Sequence, residues 1–313
     1  MKPKILFMGT PEFAVPSLNI LLEQNHCVIG VVTQPDRPKG RGKQPAPPPL
    51  KVFAEAHQLS VLQPERVRSP EFLDLFGLLA PDLIVVVAFG QILPKEILER
   101  PRRGCINVHP SLLPRYRGAA PLNWTIIRGE TTTGVTIMQM DEGMDSGAIL
   151  LQEETAIGPH ETVGELHDRL AVRGAQLLME TISMIEAGAI RRIPQDHAAA
   201  TFAPRLKKED GVIRWDADIQ TIVRLIRGLS PAPCAYTFFD GKILRIFQAV
   251  GIDTPSPAFP GALSISENEL MVSAVNGMVS LLDVQLEGKK RMPVHEFLRG
   301  CRLKPGDRLG TAA

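Results

Sequence analysis

The ten residues Cys105-Ile106-Asn107-Val108-His109-Pro110-Ser111-Leu112-Leu113-Pro114 set an amide and an imidazole two positions apart in an apolar run that halts at a proline. On an extended strand, positions i and i+2 project from the same face. Asn107 and His109 are therefore expected side by side at a strand's end. Polar side chains at the carboxyl edge of a parallel sheet are where α/β proteins carry their chemistry. Working outward, residues 83–88 form a near-continuous apolar run, the mark of a central parallel strand buried on both faces. Runs at 5–8 and 28–33 supply earlier strands, and runs at 134–140 and 149–152 later ones. Helical patterns lie between them, which predicts βαβ units and a parallel sheet.

Thr162-Val163-Gly164-Glu165 has capping-box form and opens a helix with apolar residues at Val163, Leu166, Leu170, Leu177, Ile182 and Ile185. Gly188 is placed to end it. Residues 189–208, with two prolines, three successive alanines and several charges, read as a linker. They separate a domain at 1–188 from a second at 209–313. The second begins with Ile219, Ile222, Val223 and Ile226 at helical spacing. It continues as short strands around Asp240-Gly241 and Asn276-Gly277, strong hairpin signals, and so predicts a small β-barrel.

A chain of 313 residues has room for two domains. No apolar run approaches the ~18 residues of a membrane span, and the N-terminal run is too short for a signal peptide. Cys27, Cys105, Cys234 and Cys301 are scattered without a CxxC pair, and the seven histidines form no cluster. The expectation is no metal, no disulfide scaffold and a reducing, cytoplasmic setting. The net charge is +1, yet basic residues outnumber acidic ones from residue 205 onward. That skew hints at a polyanionic partner, although surface Lys and Arg are usually only solvated. Residues 35–49 hold six prolines together with Arg37, Lys39, Arg41 and Lys43, a long surface loop.

Two readings of Asn107 and His109 stand at this point. They are a strand end with two satisfied polar side chains, or two donors aimed at a developing oxyanion. Asp145, in Asp141-Glu142-Gly143-Met144-Asp145-Ser146-Gly147, is either a plain turn residue or a carboxylate that orients the imidazole and favours its charged form. Cys105 shares the strand face of Asn107 and His109, so a Cys–His pair is conceivable. A buried strand cysteine is more often a small core residue. Ser111 lacks the GxSxG elbow of a nucleophilic serine. Gly9-Thr10-Pro11-Glu12 follows the first strand but has neither GxGxxG nor GKS/T, which argues against a nucleotide cofactor.

Asn107-Val108-His109 with Ser111-Leu112-Leu113-Pro114, then Arg117-Gly118-Ala119-Ala120-Pro121 and Gly134-Val135-Thr136-Ile137-Met138-Gln139-Met140-Asp141, closely resembles the methionyl-tRNA formyltransferase family. The likeness extends through Thr33-Gln34-Pro35-Asp36-Arg37-Pro38, Gly40-Arg41-Gly42-Lys43 and Glu287-Gly288-Lys289-Lys290-Arg291-Met292, and so spans essentially the whole chain. The resemblance implies an α/β fold: a Rossmann-like, mostly parallel sheet with helices on both faces, plus a small OB-like β-barrel at the C-terminus. It implies 10-formyltetrahydrofolate as formyl donor, initiator methionyl-tRNA as acceptor, no metal, no membrane and a monomer. It puts Asn107, His109 and Asp145 on catalytic positions. Ser111, Leu112, Leu113 and Pro114 fall on a folate-binding stretch, with residues 87–93 as another wall. Arg41 and Lys43 fall in an inserted loop that reaches the tRNA. Pro110 departs from the family pattern, where a small residue is common.

The chemistry so implied needs no covalent enzyme intermediate. The neutral methionyl amine attacks the formyl carbon, Asn107 and His109 stabilise the oxyanion, Asp145 orients His109 and accepts or relays the amine's proton, and N10 of tetrahydrofolate then leaves, protonated. Three rivals share parts of this pattern. A sugar-nucleotide or ribonucleotide formyltransferase would have no need of Arg41 and Lys43. A non-catalytic RNA-binding protein would have no need of the three polar groups. A formyltetrahydrofolate hydrolase would turn over without an amine.

Overall fold

The computed structural model describes residues 2–39, 44–254, 259–301, 303–304 and 307–310. Arg41 and Lys43 lie outside the described residues. The chain divides into two compact units. The first comprises Met1–Pro121, Thr132–Ala156 and His167–Ala203; the second comprises Leu122–Thr131, Ile157–Leu166 and Pro204–Ala313.

In the first unit the strands are β1 (Lys4–Gly9), β2 (Cys27–Val32), β3 (Arg37–Lys39), β4 (Gln44–Ala46), β5 (Val61–Leu62), β6 (Leu83–Val87), β7 (Cys105–His109), β8 (Thr132–Gln139) and β9 (Ile149–Ala156). Seven of them form one sheet in the order β5-β2-β1-β6-β7-β8-β9. The strands from β5 to β7 run parallel, and β8 and β9 are antiparallel additions. The chain builds leftward from β1 and then returns to its right at β6. The switch point, where open α/β sheets place their crevice, therefore falls between β1 and β6, with β7 next along. β6 is buried at every position, as an apolar strand with neighbours on both sides requires. β3 and β4 pair as a short ribbon, Arg37 opposite Ala46, within the proline-rich stretch expected to be a loop.

Helices α1 (Val15–Glu23), α2 (Pro49–Ala56), α3 (Pro70–Leu79) and α4 (Lys95–Leu98) follow in order. The Ser69 side chain caps α3 by accepting the Phe72 N–H. Phe72 and Phe76 of α3 pack with Leu6, Met8, Ile84, Val86 and Cys105 on one face of the sheet. After α5 (Pro121–Ile127) comes α6 (Val163–Glu186), which covers the other face within this unit. A Cβ on Gly174 of α6 would come 2.8 Å from Val108 Cγ1, so glycine is what lets the helix lie this close to β7. Val108 faces α6, and the alternation turns Cys105, Asn107 and His109 to the opposite face. The expected capping box forms: Glu165 Oε2 accepts the Thr162 N–H at 2.8 Å, and Thr162 Oγ1 accepts the Glu165 N–H at 3.3 Å. Gly188, at φ +67°, ends the helix.

The second unit carries α7 (Ile219–Leu229), β10 (Ala235–Phe239), β11 (Lys242–Ile252), β12 (Leu263–Ile265), β13 (Leu270–Ser273), β14 (Met278–Leu286), β15 (Met292–Pro293) and α8 (Val294–Gly300). Its sheet is antiparallel throughout, in the order β10-β11-β14-β13-β12, with β15 paired to β14. Asp240 and Gly241, both at positive φ, make the β10–β11 hairpin. Ile219, Ile222 and Ile226 of α7 join Leu244, Leu270, Val279 and Leu281 in one apolar core. Residues 189–208 are not a free linker. Residues up to Ala203 pack with the first unit and those from Pro204 with the second. The cause is local hydrogen bonding: Arg117 N–H donates to Thr201 O at 2.9 Å, and Ala203 N–H to Arg117 O at 2.7 Å. Among the described residues no helix is long and apolar enough to cross a membrane.

Candidate active site

His109 closes β7, and Pro110, with no N–H to donate, cannot continue the ladder. The chain turns at once, with the Ser111 N–H donating to the His109 carbonyl at 2.9 Å. Thr136 of β8 ties the turn down. Its hydroxyl donates to Ser111 O at 2.6 Å and accepts the Leu113 N–H at 3.2 Å. Gln152 of β9 donates to Thr136 Oγ1 at 2.7 Å and to Leu113 O at 3.0 Å. The Ser111 hydroxyl donates to Arg115 O at 2.7 Å. Ser111 and Leu113 are buried in this knot, whereas Leu112 and Pro114 are half-buried. Of the four residues expected against folate, Ser111 and Leu113 thus have their polar atoms engaged inside the turn. Leu112 and Pro114 keep accessible surface.

The turn delivers Tyr116, whose carbonyl takes a hydrogen bond from His109 Nε2 at 3.0 Å. A carbonyl only accepts, so Nε2 carries a proton, and Nδ1 is the nitrogen left for chemistry. Nδ1 lies 3.7 Å from Asp145 Oδ2, an ion-pair separation rather than a hydrogen bond. The same Oδ2 accepts the Gly118 N–H at 2.8 Å. The expected pairing of His109 with Asp145 is present, but the carboxylate's short hydrogen bond goes to the backbone. The side chains are 5% and 20% exposed, so the carboxylate's field at the ring is only partly screened by water.

Asn107 stands between Val86 of β6 and Met138 of β8 in the ladder. It is only 9% exposed. Among the hydrogen bonds of the described residues none engages its side-chain amide. Its amide atoms are not among the fully buried, unpartnered polar atoms of the described residues, so they keep access to solvent, which suits a group kept for a bound substrate. Cys105 lies at the core end of the same face, fully buried, its Sγ against the carbonyls of Ile97 and Leu98. Burial pushes its thiol up to about 12, which removes it as a nucleophile at neutral pH.

Asp145 sits at φ +49° in an irregular loop. The Gly143 N–H and the Ser146 hydroxyl both donate to Asp141 Oδ1, at 3.0 and 2.8 Å. A Cβ on Gly147 would overlap the Gln139 carbonyl, so only glycine fits there. Gln195 Nε2 donates to Asp145 O at 2.9 Å and to Gly147 O at 2.7 Å. Its Oε1 accepts from Nε and Nη2 of Arg117 at 3.1 and 2.6 Å. Sequence reasoning gave neither side chain a role. Arg117 stood only as part of a motif, and Gln195 lay in the expected linker.

Residues 87–93, expected as a second folate wall, leave β6 by way of Ala88 and Gly90, both at positive φ. Phe89 is buried, and its carbonyl accepts from Thr10 Oγ1 at 2.9 Å and Gln34 Nε2 at 3.3 Å. Ile92 is 75% exposed. Asp36, just before β3, accepts from Gln63 Nε2 at 2.8 Å and Lys51 Nζ at 2.9 Å. These contacts hold its carboxyl below the usual range. Among the described residues no group of three or more His, Cys, Asp and Glu is placed to hold a metal ion.

Comparison with known proteins gives the family. A family model described as "Formyl transferase" matches residues 1–182, and one described as "Formyl transferase, C-terminal domain" matches residues 205–302. The chain is 58% identical over 310 residues to a methionyl-tRNA formyltransferase of Syntrophus aciditrophicus, covering 99% of each chain. It is 51% identical over 306 residues to that of Geobacter metallireducens, covering 98% of each. Among solved structures, a methionyl-tRNA formyltransferase from Clostridium thermocellum shares the fold, with a TM-score of 0.57 and 17% identity over 91% of this chain and 99% of that one. Near-full-length identity above one half, joined to both halves of the domain pair, means that the chain belongs to the methionyl-tRNA formyltransferase family of formyl transferases.

Proposed function

We propose that this chain transfers the formyl group of 10-formyltetrahydrofolate to the α-amino group of initiator methionyl-tRNA, giving N-formylmethionyl-tRNA for translation initiation. The observation that carries the catalytic reading is the Asn107 amide, without a protein partner and open to solvent on the same strand face as His109, whose Nδ1 looks at Asp145 from 3.7 Å. Addition of the amine to the formyl carbon puts negative charge on the formyl oxygen. The Asn107 amide donates to that oxygen, and a protonated His109 Nδ1 supplies the second donor. One such donor is worth about 3 kcal/mol in the transition state. Asp145 faces the imidazole and accepts the proton shed by the amine, directly or through water. Collapse of the oxyanion then breaks the bond from the formyl carbon to N10, and tetrahydrofolate leaves with that proton on N10. Holding both substrates together supplies much of the remaining rate.

Leu112 and Pro114, with the turn after β6, are the surfaces offered to the folate. Arg41 and Lys43 are assigned to the tRNA acceptor end, with the basic C-terminal unit adding non-specific attraction to the RNA. The protein is placed in the cytoplasm and acts as a monomer. Incubation with labelled 10-formyltetrahydrofolate and charged initiator or elongator methionyl-tRNA tests the assignment. Label on the initiator species is expected. Label released as formate without an amine acceptor would overturn it.

A further inference from the structure

We infer that Gln195, clamped by Arg117, is a positioning residue for the reaction: it holds the Asp145 loop in the one conformation that brings the carboxylate to His109. The inference rests on the catalytic reading of Asp145 above and adds to it a group that touches neither substrate. Three observations carry it.

The first is strain. Asp145 has φ +49°, a left-handed backbone that costs a non-glycine residue free energy and persists only where neighbours impose it. Its loop contributes no ladder hydrogen bonds of its own. The contacts that impose the geometry are the Gly118 N–H on Oδ2 and the Gln195 amide on the Asp145 and Gly147 carbonyls.

The second is that chemistry leaves the Gln195 amide only one orientation. A guanidinium only donates, so the atom facing Arg117 Nε and Nη2 must be Oε1. Backbone carbonyls only accept, so the NH2 must face Asp145 and Gly147. Both side chains are buried, and so is this exchange of donors and acceptors. A carboxylate of the same size would keep the Arg117 contact yet present acceptors to acceptors.

The third is convergence on one tripeptide. Tyr116 O receives His109 Nε2–H, Gly118 N–H binds Asp145 Oδ2, and the Arg117 side chain between them reaches Asp145 again through Gln195. Residues 201–203 pin that tripeptide: Tyr116 N–H donates to Thr201 Oγ1 at 2.9 Å, and Arg117 exchanges backbone bonds with Thr201 and Ala203. Residues 195–203 fall between the two family-model matches, at 1–182 and 205–302. They nonetheless brace both members of the His–Asp couple.

The test is a double-mutant cycle on the full-length enzyme with Gln195→Leu and Asp145→Asn, reading kcat and the KM of each substrate. Gln195→Leu alone is expected to lower kcat by on the order of 10- to 100-fold, with both KM values held within about threefold. In the Asp145→Asn background the same change should cost less than about twofold, because a residue acting through Asp145 has nothing left to position. Gln195→Glu, which keeps the Arg117 pair, serves where Gln195→Leu fails to fold, and the same pattern is expected of it. Full multiplicative loss in the Asp145→Asn background, or an unchanged kcat in both single variants at 195, overturns the inference while leaving Asp145's role intact. Wild-type kcat in Asp145→Asn alone overturns the catalytic reading itself, and the inference with it.

Discussion

His109 has two ring nitrogens and two oxygens facing them, and the asymmetry between those oxygens decides what the ring can do. The Tyr116 carbonyl fixes a proton on Nε2; the Asp145 carboxylate faces Nδ1 from 3.7 Å without a hydrogen bond to it. Asp145→Asn keeps an oxygen for the Gly118 N–H and loses only the charge. It should lower kcat by about 10²-fold or more while the enzyme melts within a few degrees of wild type. Cys105, by contrast, is core. Cys105→Ala should retain turnover within about threefold, and iodoacetamide at pH 8 should label exposed Cys27 but not Cys105 in the folded protein. Asn107, His109 and Asp145 were legible in the sequence because two of them share a strand with period two, and the family pattern supplied the third. Arg117 and Gln195 were not. A side-chain amide 78 residues from its guanidinium partner leaves no periodic trace.

At the scale of elements, β7 is aimed by what lies behind it. Gly174 lets α6 rest on Val108, and Gly174→Ala would press a methyl group into Val108 Cγ1. The expected loss is about 1–3 kcal/mol, read as a lower melting temperature. The start of α6 carries its own pH signature. Glu165 accepts from the Thr162 N–H and hydroxyl, which holds its carboxyl below the ordinary 4.5. A depressed folded value means stability that is complete above the unfolded value and is lost as pH falls through the folded one. Melting between about pH 5 and 3 should therefore fall more steeply for wild type than for Glu165→Gln. The helix start and stop, the central strands and the hairpin at Asp240-Gly241 could all be read from local chemistry. The β3–β4 ribbon could not, because its strands are three residues long and carry prolines that read as turn residues, and the pairing of residues 201–203 with Arg117 could not, because those partners lie far apart in sequence.

At the scale of the whole molecule, the enzyme must bring a large polyanion and a small folate to one carbon. The proposed function gives Arg41 and Lys43 to that task. Replacing both with Ala should raise the KM for tRNA and reduce the salt slope of binding by about two, with the KM for 10-formyltetrahydrofolate unchanged. The change in pattern after residue 188 set an expected boundary, whereas the compact units meet at Ala203 and Pro204 and draw Leu122–Thr131 and Ile157–Leu166 into the second, segments whose membership depends on partners far along the chain. The account as a whole rests on an oxyanion forming beside Asn107, and the direct measurement is single-turnover formyl transfer by Asn107→Ala, with affinity for 10-formyltetrahydrofolate measured on the same protein. A fall in rate of about 10²–10³ with affinity held within about threefold is the predicted result. A rate within a few-fold of wild type would contradict it.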